Sequence, residues 1–404
     1  MDFEQVKALD AEHVIGTYSR VPIVLVKGKG ARVWDSEGRE YLDFLGGLAV
    51  CGLGHCHPKV VEAVQKQVAE LIHCTNIYYI APQARLAALL AELTGGMKSF
   101  FANSGTEANE GAIKLARKYS KNKHGEYKYE IITCTNSFHG RTLAALAATG
   151  QTKHHRGFEP MPEGFVQVPY GDVPAVAEAI GEKTCAVMVE PIQGEGGVNL
   201  PPAGYLSGLR QLCDEKGLVL ILDEIQTGIG RTGRMFAYEH SGVKPDILTL
   251  AKALGGGIPI GAFLATPEVA GAFGPGSHGS TFGGNPVATA AALANLQAIV
   301  DEGAVENAAR VGAYFRSQLQ GLASRFDFVR EVRGQGLMVG IELSIEGKDM
   351  VEACRRKGLL INCTAEKVLR FLPPLNISTE DVDEAVAVLR EVFEEVKATQ
   401  AATG

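Results

Sequence analysis

The sequence predicts an α/β protein: a large domain on a mostly parallel sheet, joined by a smaller α+β domain. Three observations carry this. Short apolar runs that read as buried strands alternate with stretches of helical periodicity. Those runs are nearly continuous in apolar residues rather than alternating, as in a sheet covered by helices on both faces. From Asn285 onward the pattern changes to long alanine-rich helices, a strand-like stretch and a final helix.

Taken in order, Val24 to Phe44 reads as short strands joined by turns at Gly28–Gly30 and Glu37–Gly38. Val60 to Leu71 and Gln83 to Leu93 space their apolar residues as helices do, and Asn109 to Lys118 continues a helix after a start signal. Buried strands are expected at Ile131–Cys134, Ala186–Val189, Leu218–Leu222, Ile247–Leu250 and Gly261–Ala265. The strand-like Gly336–Leu343 and a helix near Asp381–Lys397 close the chain. No Pro/Gly/Ser linker separates two halves. We therefore expect an N-terminal segment over 1–49 that packs with the small domain, a large domain over 50–285, and a small C-terminal domain over 286–404.

Composition narrows the function. The 404 residues include 39 basic and 46 acidic side chains, a net charge of -7. An acidic balance without a Lys/Arg run argues against nucleic acid as partner. No stretch approaches the ~18 consecutive apolar residues of a membrane span. Met1 to Asp10 is acidic and lacks the apolar core of a secretory leader. The 8 cysteines are scattered singly, as reduced thiols of a cytosol would be. Many of the 48 glycines sit in clusters, as a site built from close backbone approach requires. A cytoplasmic enzyme acting on small molecules is expected.

Three motifs carry chemistry. In Asn103-Ser104-Gly105-Thr106-Glu107-Ala108-Asn109, Ser104 and Glu107 have capping-box spacing before a helical stretch. Free N–H groups and two hydroxyls there suit a phosphate, although an ordinary helix cap reads the same way. The apolar run Leu218–Leu222 ends in Asp223-Glu224-Ile225-Gln226, which puts carboxylates at the sheet edge where α/β ligand sites lie. Asp223 there could hold a metal, act as a base, pair with a protonated ring nitrogen, or merely cap a loop. The third run, Ile247–Leu250, is followed by Lys252 and then Gly255-Gly256-Gly257. A desolvated lysine loses its proton readily and can form a Schiff base, whereas a snorkelling surface lysine would not. Pyridoxal phosphate needs all three parts: donors for its phosphate, an acidic partner for its ring nitrogen and an amine for its aldehyde.

On these residues the chain resembles the class III (ω-amino acid) aminotransferases, with the fold-type I architecture of pyridoxal-phosphate transferases. The resemblance runs from about Tyr18 to Ser378. Its ordered motifs are Leu42-Asp43-Phe44 with Gly54-His55-Cys56-His57-Pro58, Asn103–Asn109, Phe138-His139-Gly140-Arg141-Thr142 and Glu190-Pro191-Ile192-Gln193-Gly194-Glu195-Gly196-Gly197. Asp223–Gln226, Lys252, Gly279-Ser280-Thr281-Phe282-Gly283-Gly284-Asn285-Pro286 and Leu369-Arg370-Phe371 follow.

The resemblance implies pyridoxal 5′-phosphate as cofactor and a ping-pong transfer of the ω-amino group of N2-acetyl-L-ornithine to 2-oxoglutarate, a step of arginine biosynthesis. It implies Lys252 as the Schiff-base lysine and proton shuttle, and Asp223 as partner of the ring nitrogen. Ser104, Gly105 and Thr106 would hold the phosphate, joined by Thr281 from the other subunit of a homodimer. Phe138 would stack on the ring, Gln226 would touch its hydroxyl oxygen, and Glu224 and Ile225 would line the cofactor site. Tyr18, Arg141 and Arg370 would bind substrate carboxylates, with Ser280 contributing from the neighbouring subunit. Glu195 would pair with Arg370 whenever no carboxylate occupies it. Position 48 is Leu where ornithine aminotransferases carry a tyrosine, which leaves room for an acyl group.

Other readings stay open at this point. N2-succinylornithine, N-succinyl-diaminopimelate, ornithine or 4-aminobutyrate could be the donor, and an aminomutase or decarboxylase could use the same cofactor. The stretch Cys51-Gly52-Leu53-Gly54-His55-Cys56-His57 also raises a non-catalytic metal-binding protein. It lacks the second ligand couple of a structural zinc site, so no metal is expected. Dinucleotide and P-loop fingerprints are absent. His154 and His155 read as a polar loop pair.

Overall fold

The computed structural model describes residues 1–403. At its centre lies a seven-stranded sheet in the spatial order Lys98–Ala102, Gly261–Ala265, Ile247–Leu250, Val219–Asp223, Thr184–Val189, Glu130–Cys134 and Phe165–Val168. The five strands from Ile247–Leu250 outward to Phe165–Val168 pair in parallel. Gly261–Ala265 runs antiparallel to both its neighbours, so one reversed strand sits second from the edge.

Every residue of Thr184–Val189, Val219–Asp223, Ile247–Leu250 and Gly261–Ala265 is buried. The period-2 geometry of a strand explains how. Leu220 and Leu222 pack into one apolar core, while Val219 and Ile221 point into a second core on the opposite face. Helix Gly105–His124 covers that second face with Ala112, Ile113, Leu115 and Ala116. Gly111 lets it lie close to the sheet, since a Cβ there would stand 2.2 Å from the Phe263 ring.

Two smaller sheets flank this layer. Leu25–Lys29, Arg32–Asp35 and Glu40–Asp43 form one with the C-terminal strand Leu359–Leu360, which pairs in parallel with Glu40–Asp43. The other is antiparallel, in the order Val329–Gln335, Met338–Leu343, Val368–Phe371 and Asn362–Thr364. Helices Pro286–Asp301, Ala304–Ala323 and Thr379–Thr403 complete the C-terminal part.

Several elements depart from the sequence reading. The expected strand Gly336–Leu343 begins at Met338, because Gly336 takes φ +55° in the turn that precedes it. Strands Lys98–Ala102, Phe165–Val168 and Val329–Gln335, and helices Phe3–His13 and Tyr205–Lys216, were not anticipated. Phe3–His13 buries no residue and starts from a capping box between Asp2 and Gln5. The capping box expected at Ser104 is only half made. Ser104 Oγ accepts from Glu107 N at 3.3 Å, but the Glu107 carboxylate turns instead to Asn103 N at 2.6 Å.

Candidate active site

The carboxyl ends of the parallel strands, joined by that of Lys98–Ala102, open on one edge of the central sheet, where α/β proteins bind ligands. They enclose a pocket of about 400 Å³. Asp223 is the last residue of its strand and pairs with Thr249 of the next one, whose chain leads directly to Lys252. The sheet register therefore puts carboxylate and amine side by side.

Asp223 is buried, and its Oδ2 accepts from Asn109 Nδ2 and from His139 Nδ1, both at 2.8 Å. Its Oδ1 accepts from Ile225 N at 3.1 Å. Burial works against a charged His139, yet the Asp223 hydrogen bond more than offsets it and holds the imidazole above its ordinary pKa. The carboxylate is thus fixed in orientation by the side chains of Asn109 and His139.

Lys252 lines the pocket with its pKa lowered, first by burial and then by the nearby Arg370, against the pull of Glu195, Asp223 and Glu190. Its backbone takes φ +45°, uncommon for a residue with a side chain. The turn is held from behind by Asn295 Nδ2, which donates to the carbonyls of Ala253 at 2.7 Å and Leu254 at 3.2 Å.

Opposite the strand ends, helix Gly105–His124 presents its N-terminus to the pocket. First-turn N–H groups have no intrahelical acceptor and favour an anion. Thr106 Oγ1 accepts from the N–H groups of Arg141 and Thr142, each at 3.2 Å, which seats the loop carrying Phe138 and Arg141. Phe138 lines the pocket, with the Arg141 guanidinium 5.4 Å from its ring centre. Glu190 follows strand Thr184–Val189 and accepts from Phe138 N at 3.0 Å and Gly194 N at 3.3 Å. Burial pushes its carboxyl up to about 7.

Glu195 lines the pocket and pairs with a buried charge next to it. Arg370 is fully buried and donates through one nitrogen to Glu195 Oε1 at 2.7 Å and Gln226 Oε1 at 3.2 Å. Its Nε donates to Asn362 Oδ1 at 3.2 Å, while its other terminal nitrogen is buried without a partner. Burial would raise the Glu195 carboxyl, but Arg370 and Lys252 outweigh it and hold it below the ordinary range. A second chamber of about 610 Å³ adjoins the first and shares Phe138, Arg141 and Glu195 with it.

Of the residues singled out from sequence, Ser104, Gly105, Thr106, Phe138, Arg141, Glu195, Asp223, Ile225, Gln226 and Lys252 line this pocket, and Arg370 stands against Glu195. Glu224 does not belong to it. Successive strand-end residues point to opposite sides, and its carboxylate is committed to Ala237 N at 2.6 Å and Tyr238 N at 2.8 Å. Tyr18 is 76% exposed and Thr281 is exposed, both outside the pocket of their own chain. Ser280 Oγ stands 3.3 Å from Asn103 Nδ2 behind the pocket rim. Leu48 sits in a turn with φ +64° and does not line the pocket, where Val50 does. Asn109, His139, Glu190 and Asn362 were not given roles from sequence. Asn109 carried a signal: it lies one turn after Thr106, a polar residue between the apolar Ala108 and Ala112.

The Cys/His stretch is engaged elsewhere, with His55 on Asp43 at 2.7 Å and His57 on Glu302 at 3.1 Å. Among the described residues no group of three or more His, Cys, Asp and Glu is placed to hold a metal, and no helix is long and apolar enough to cross a membrane. His155 Nε2 bonds the Thr149 carbonyl at 2.9 Å, whereas His154 stands edge-on to Phe138.

The donor set fits pyridoxal phosphate. A buried, doubly oriented carboxylate, a desolvated amine, a helix N-terminus and an aromatic face converge on one cavity.

Residues 15–393 match the model of the family Aminotransferase class-III. The chain is 53% identical to the acetylornithine aminotransferase of Methanocaldococcus jannaschii over 389 residues, 96% of this chain and 98% of that protein. It is 50% identical to that of Aquifex aeolicus, over 94% of this chain and all of the relative. Among solved structures, the ornithine aminotransferase of Toxoplasma gondii superposes with a TM-score of 0.95 at 38% identity, covering 99% of this chain and 96% of that one. The acetylornithine aminotransferase of Elizabethkingia anophelis gives 0.88 at 36% identity, covering 98% of this chain and 100% of that one.

Proposed function

The chain belongs to the class III aminotransferase family, and from that premise we infer that it moves the ω-amino group of N2-acetyl-L-ornithine to 2-oxoglutarate. The products are N-acetylglutamate 5-semialdehyde and L-glutamate, in arginine biosynthesis. Pyridoxal 5′-phosphate is the cofactor; when bound it supplies an aldehyde for amines and a protonated ring that accepts the electron pair released at the substrate carbon.

This chain's own residues do the rest. Asp223, held by Asn109 and His139, keeps the proton on the ring nitrogen. Lys252 Nζ, low in pKa through burial, takes the proton from the amine-bearing carbon of the substrate and later returns one. Ser104, Gly105 and Thr106 hold the phosphate at the helix N-terminus. Phe138, Ile225 and Gln226 line the same pocket, where Phe138 would stack on the ring and Gln226 would take its hydroxyl.

One observation carries the pairing of two unlike substrates: the ion pair between Glu195, which lines the pocket, and the buried Arg370 against it. Glutamate and 2-oxoglutarate bring two carboxylates, which Arg370 and Arg141 take by bidentate hydrogen bonds. N2-acetylornithine brings one carboxylate, remote from its reacting amine, and that one goes to Arg141 with Tyr18. Glu195 neutralises Arg370 during that half-reaction and yields it during the other.

Thr281 and Ser280 serve the neighbouring site of a homodimer, which is supported by the exposure of Thr281 in the single chain. The large domain spans 50–285, with 1–49 on the small domain of 286–404, and the enzyme works in the cytoplasm. A steady-state assay over acylated and free diamino acids tests the reading. N2-acetyl-L-ornithine should give the highest kcat/KM, above N2-succinylornithine, N-succinyl-diaminopimelate, ornithine and 4-aminobutyrate. A higher value for free ornithine would replace it with the ornithine reaction.

A further inference from the structure

The Cys/His stretch that the transamination site leaves unused holds an arrangement of its own. Cys51 Sγ stands 3.8 Å from His55 Nδ1, and His55 Nε2 stands 2.7 Å from Asp43 Oδ2. Asp43 is buried and further fixed by the N–H groups of Leu45 at 2.9 Å and Gly46 at 3.0 Å. The imidazole has its seat because residue 28 is glycine: a Cβ there would lie 2.6 Å from the Cβ of His55. Its hydrogen bonds to Asp43 and then to Cys51 raise His55 to about 10, so the ring is cationic at neutral pH.

We propose that Cys51, set beside the imidazole of the His55–Asp43 pair, is a nucleophilic thiol that peroxides oxidise to a sulfenic acid next to the cofactor pocket. The sulfur attacks one peroxide oxygen, the S–O bond forms as the O–O bond breaks, and sulfur loses the two electrons that the peroxide gains. The leaving hydroxide takes the proton of His55 and departs as water. Cys51 is half-buried and reachable, whereas Cys134, Cys185, Cys213 and Cys354 are buried and pushed up to about 11 or 12 by that burial.

The position gives the oxidation a consequence. Val50 lines the cofactor pocket, and Gly52 lies against Ala253, the neighbour of Lys252, where a Cβ would stand 3.3 Å from its side chain. The Gly52 carbonyl also accepts from Leu375 N at 2.7 Å, shortly after the strand that carries Arg370. An oxygen added at Cys51 crowds the segment that joins these two parts of the site.

The test uses the full-length holoenzyme exposed to hydrogen peroxide with dimedone as trap, and maps adducts by mass spectrometry. Cys51 should label about tenfold faster than the more exposed Cys56, and His55→Gln should slow Cys51 by about tenfold or more. Cys51→Ser should keep its activity and lose its sensitivity to peroxide. The activity readout rests on the aminotransferase reading, but the labelling does not, so the two can fail separately. Labelling of Cys56 at least as fast as Cys51 in the unaltered protein would overturn the proposal, as would an unchanged Cys51 rate in His55→Gln.

Discussion

Glu195→Ala should affect the two half-reactions in opposite directions. The pair it breaks is short, with Arg370 Nη1 at 2.7 Å from Glu195 Oε1, and Arg370 is completely buried. Before a dicarboxylate can occupy Arg370, that charge-assisted hydrogen bond must open, at a cost of about 1.5–3 kcal/mol. Removing Glu195 removes the competition, and at about 1.4 kcal/mol per factor of ten the apparent affinity for glutamate should rise roughly 10–100-fold. The acetylornithine half-reaction loses instead. Arg370 is left with Gln226 and Asn362 as neutral acceptors and with a terminal nitrogen that already lacks a partner. An uncompensated buried guanidinium then captures the only carboxylate on offer, the one meant for Arg141, and draws the substrate in the wrong way round. A slowing of about tenfold or more is expected there. Single-turnover stopped-flow of each half-reaction, followed by the visible absorbance of the cofactor, reads both effects. Equal losses in the two halves would refute the gate and leave Glu195 a structural residue of the turn at Gly194–Gly197.

Other expectations follow from the same geometry. Arg370→Ala should invert the pattern, damaging the glutamate half-reaction far more than the acetylornithine one in the same stopped-flow traces. Lys252→Ala should leave a folded protein that binds cofactor weakly and has lost at least ~10²–10⁴-fold in turnover; retention of a tenth of the activity would remove the lysine from its role. Asp223→Asn should lower turnover strongly with little loss of thermal stability, and should shift the pH titration of the bound cofactor's spectrum; unchanged spectra would contradict its contact with the ring nitrogen. His55 has a folded pKa near 10 against an ordinary 6.5. Because the folded state holds that proton more tightly, its contribution to stability is complete below about pH 6.5 and is lost as pH rises toward 10. Melting temperatures measured across that window should fall, and His55→Gln should flatten the slope.

The strands at the heart of the sheet were legible because both their faces are buried, which makes them continuous apolar runs. Ile247–Leu250 and Gly261–Ala265 stand where the sequence put them. Lys98–Ala102 was missed because Lys98 is exposed and Ser99 and Phe100 are only half-buried, which dilutes the pattern. Val329–Gln335 carries no fully buried residue, and its charged Arg330, Glu331 and Arg333 conceal a strand whose partner supplies the core. At the site, Lys252 and Asp223 could be read because a charge at the end of a buried strand is conspicuous in one dimension. Glu224 misled for the same reason, since adjacency in sequence hides the reversal of direction from one strand residue to the next. Asn109 and His139 are separated from Asp223 by 114 and 84 positions, so only the folded chain brings them to one carboxylate.

The most direct measurement follows the nitrogen. Purified enzyme supplied with cofactor, 2-oxoglutarate and N2-acetyl-L-ornithine labelled with ¹⁵N at its ω-amine should deliver the label to the α-amine of glutamate, one for one with the semialdehyde formed, and should do so more efficiently than with free ornithine. Label that stays on the donor, or that is released as ammonia instead of reaching glutamate, would contradict transamination between these two substrates.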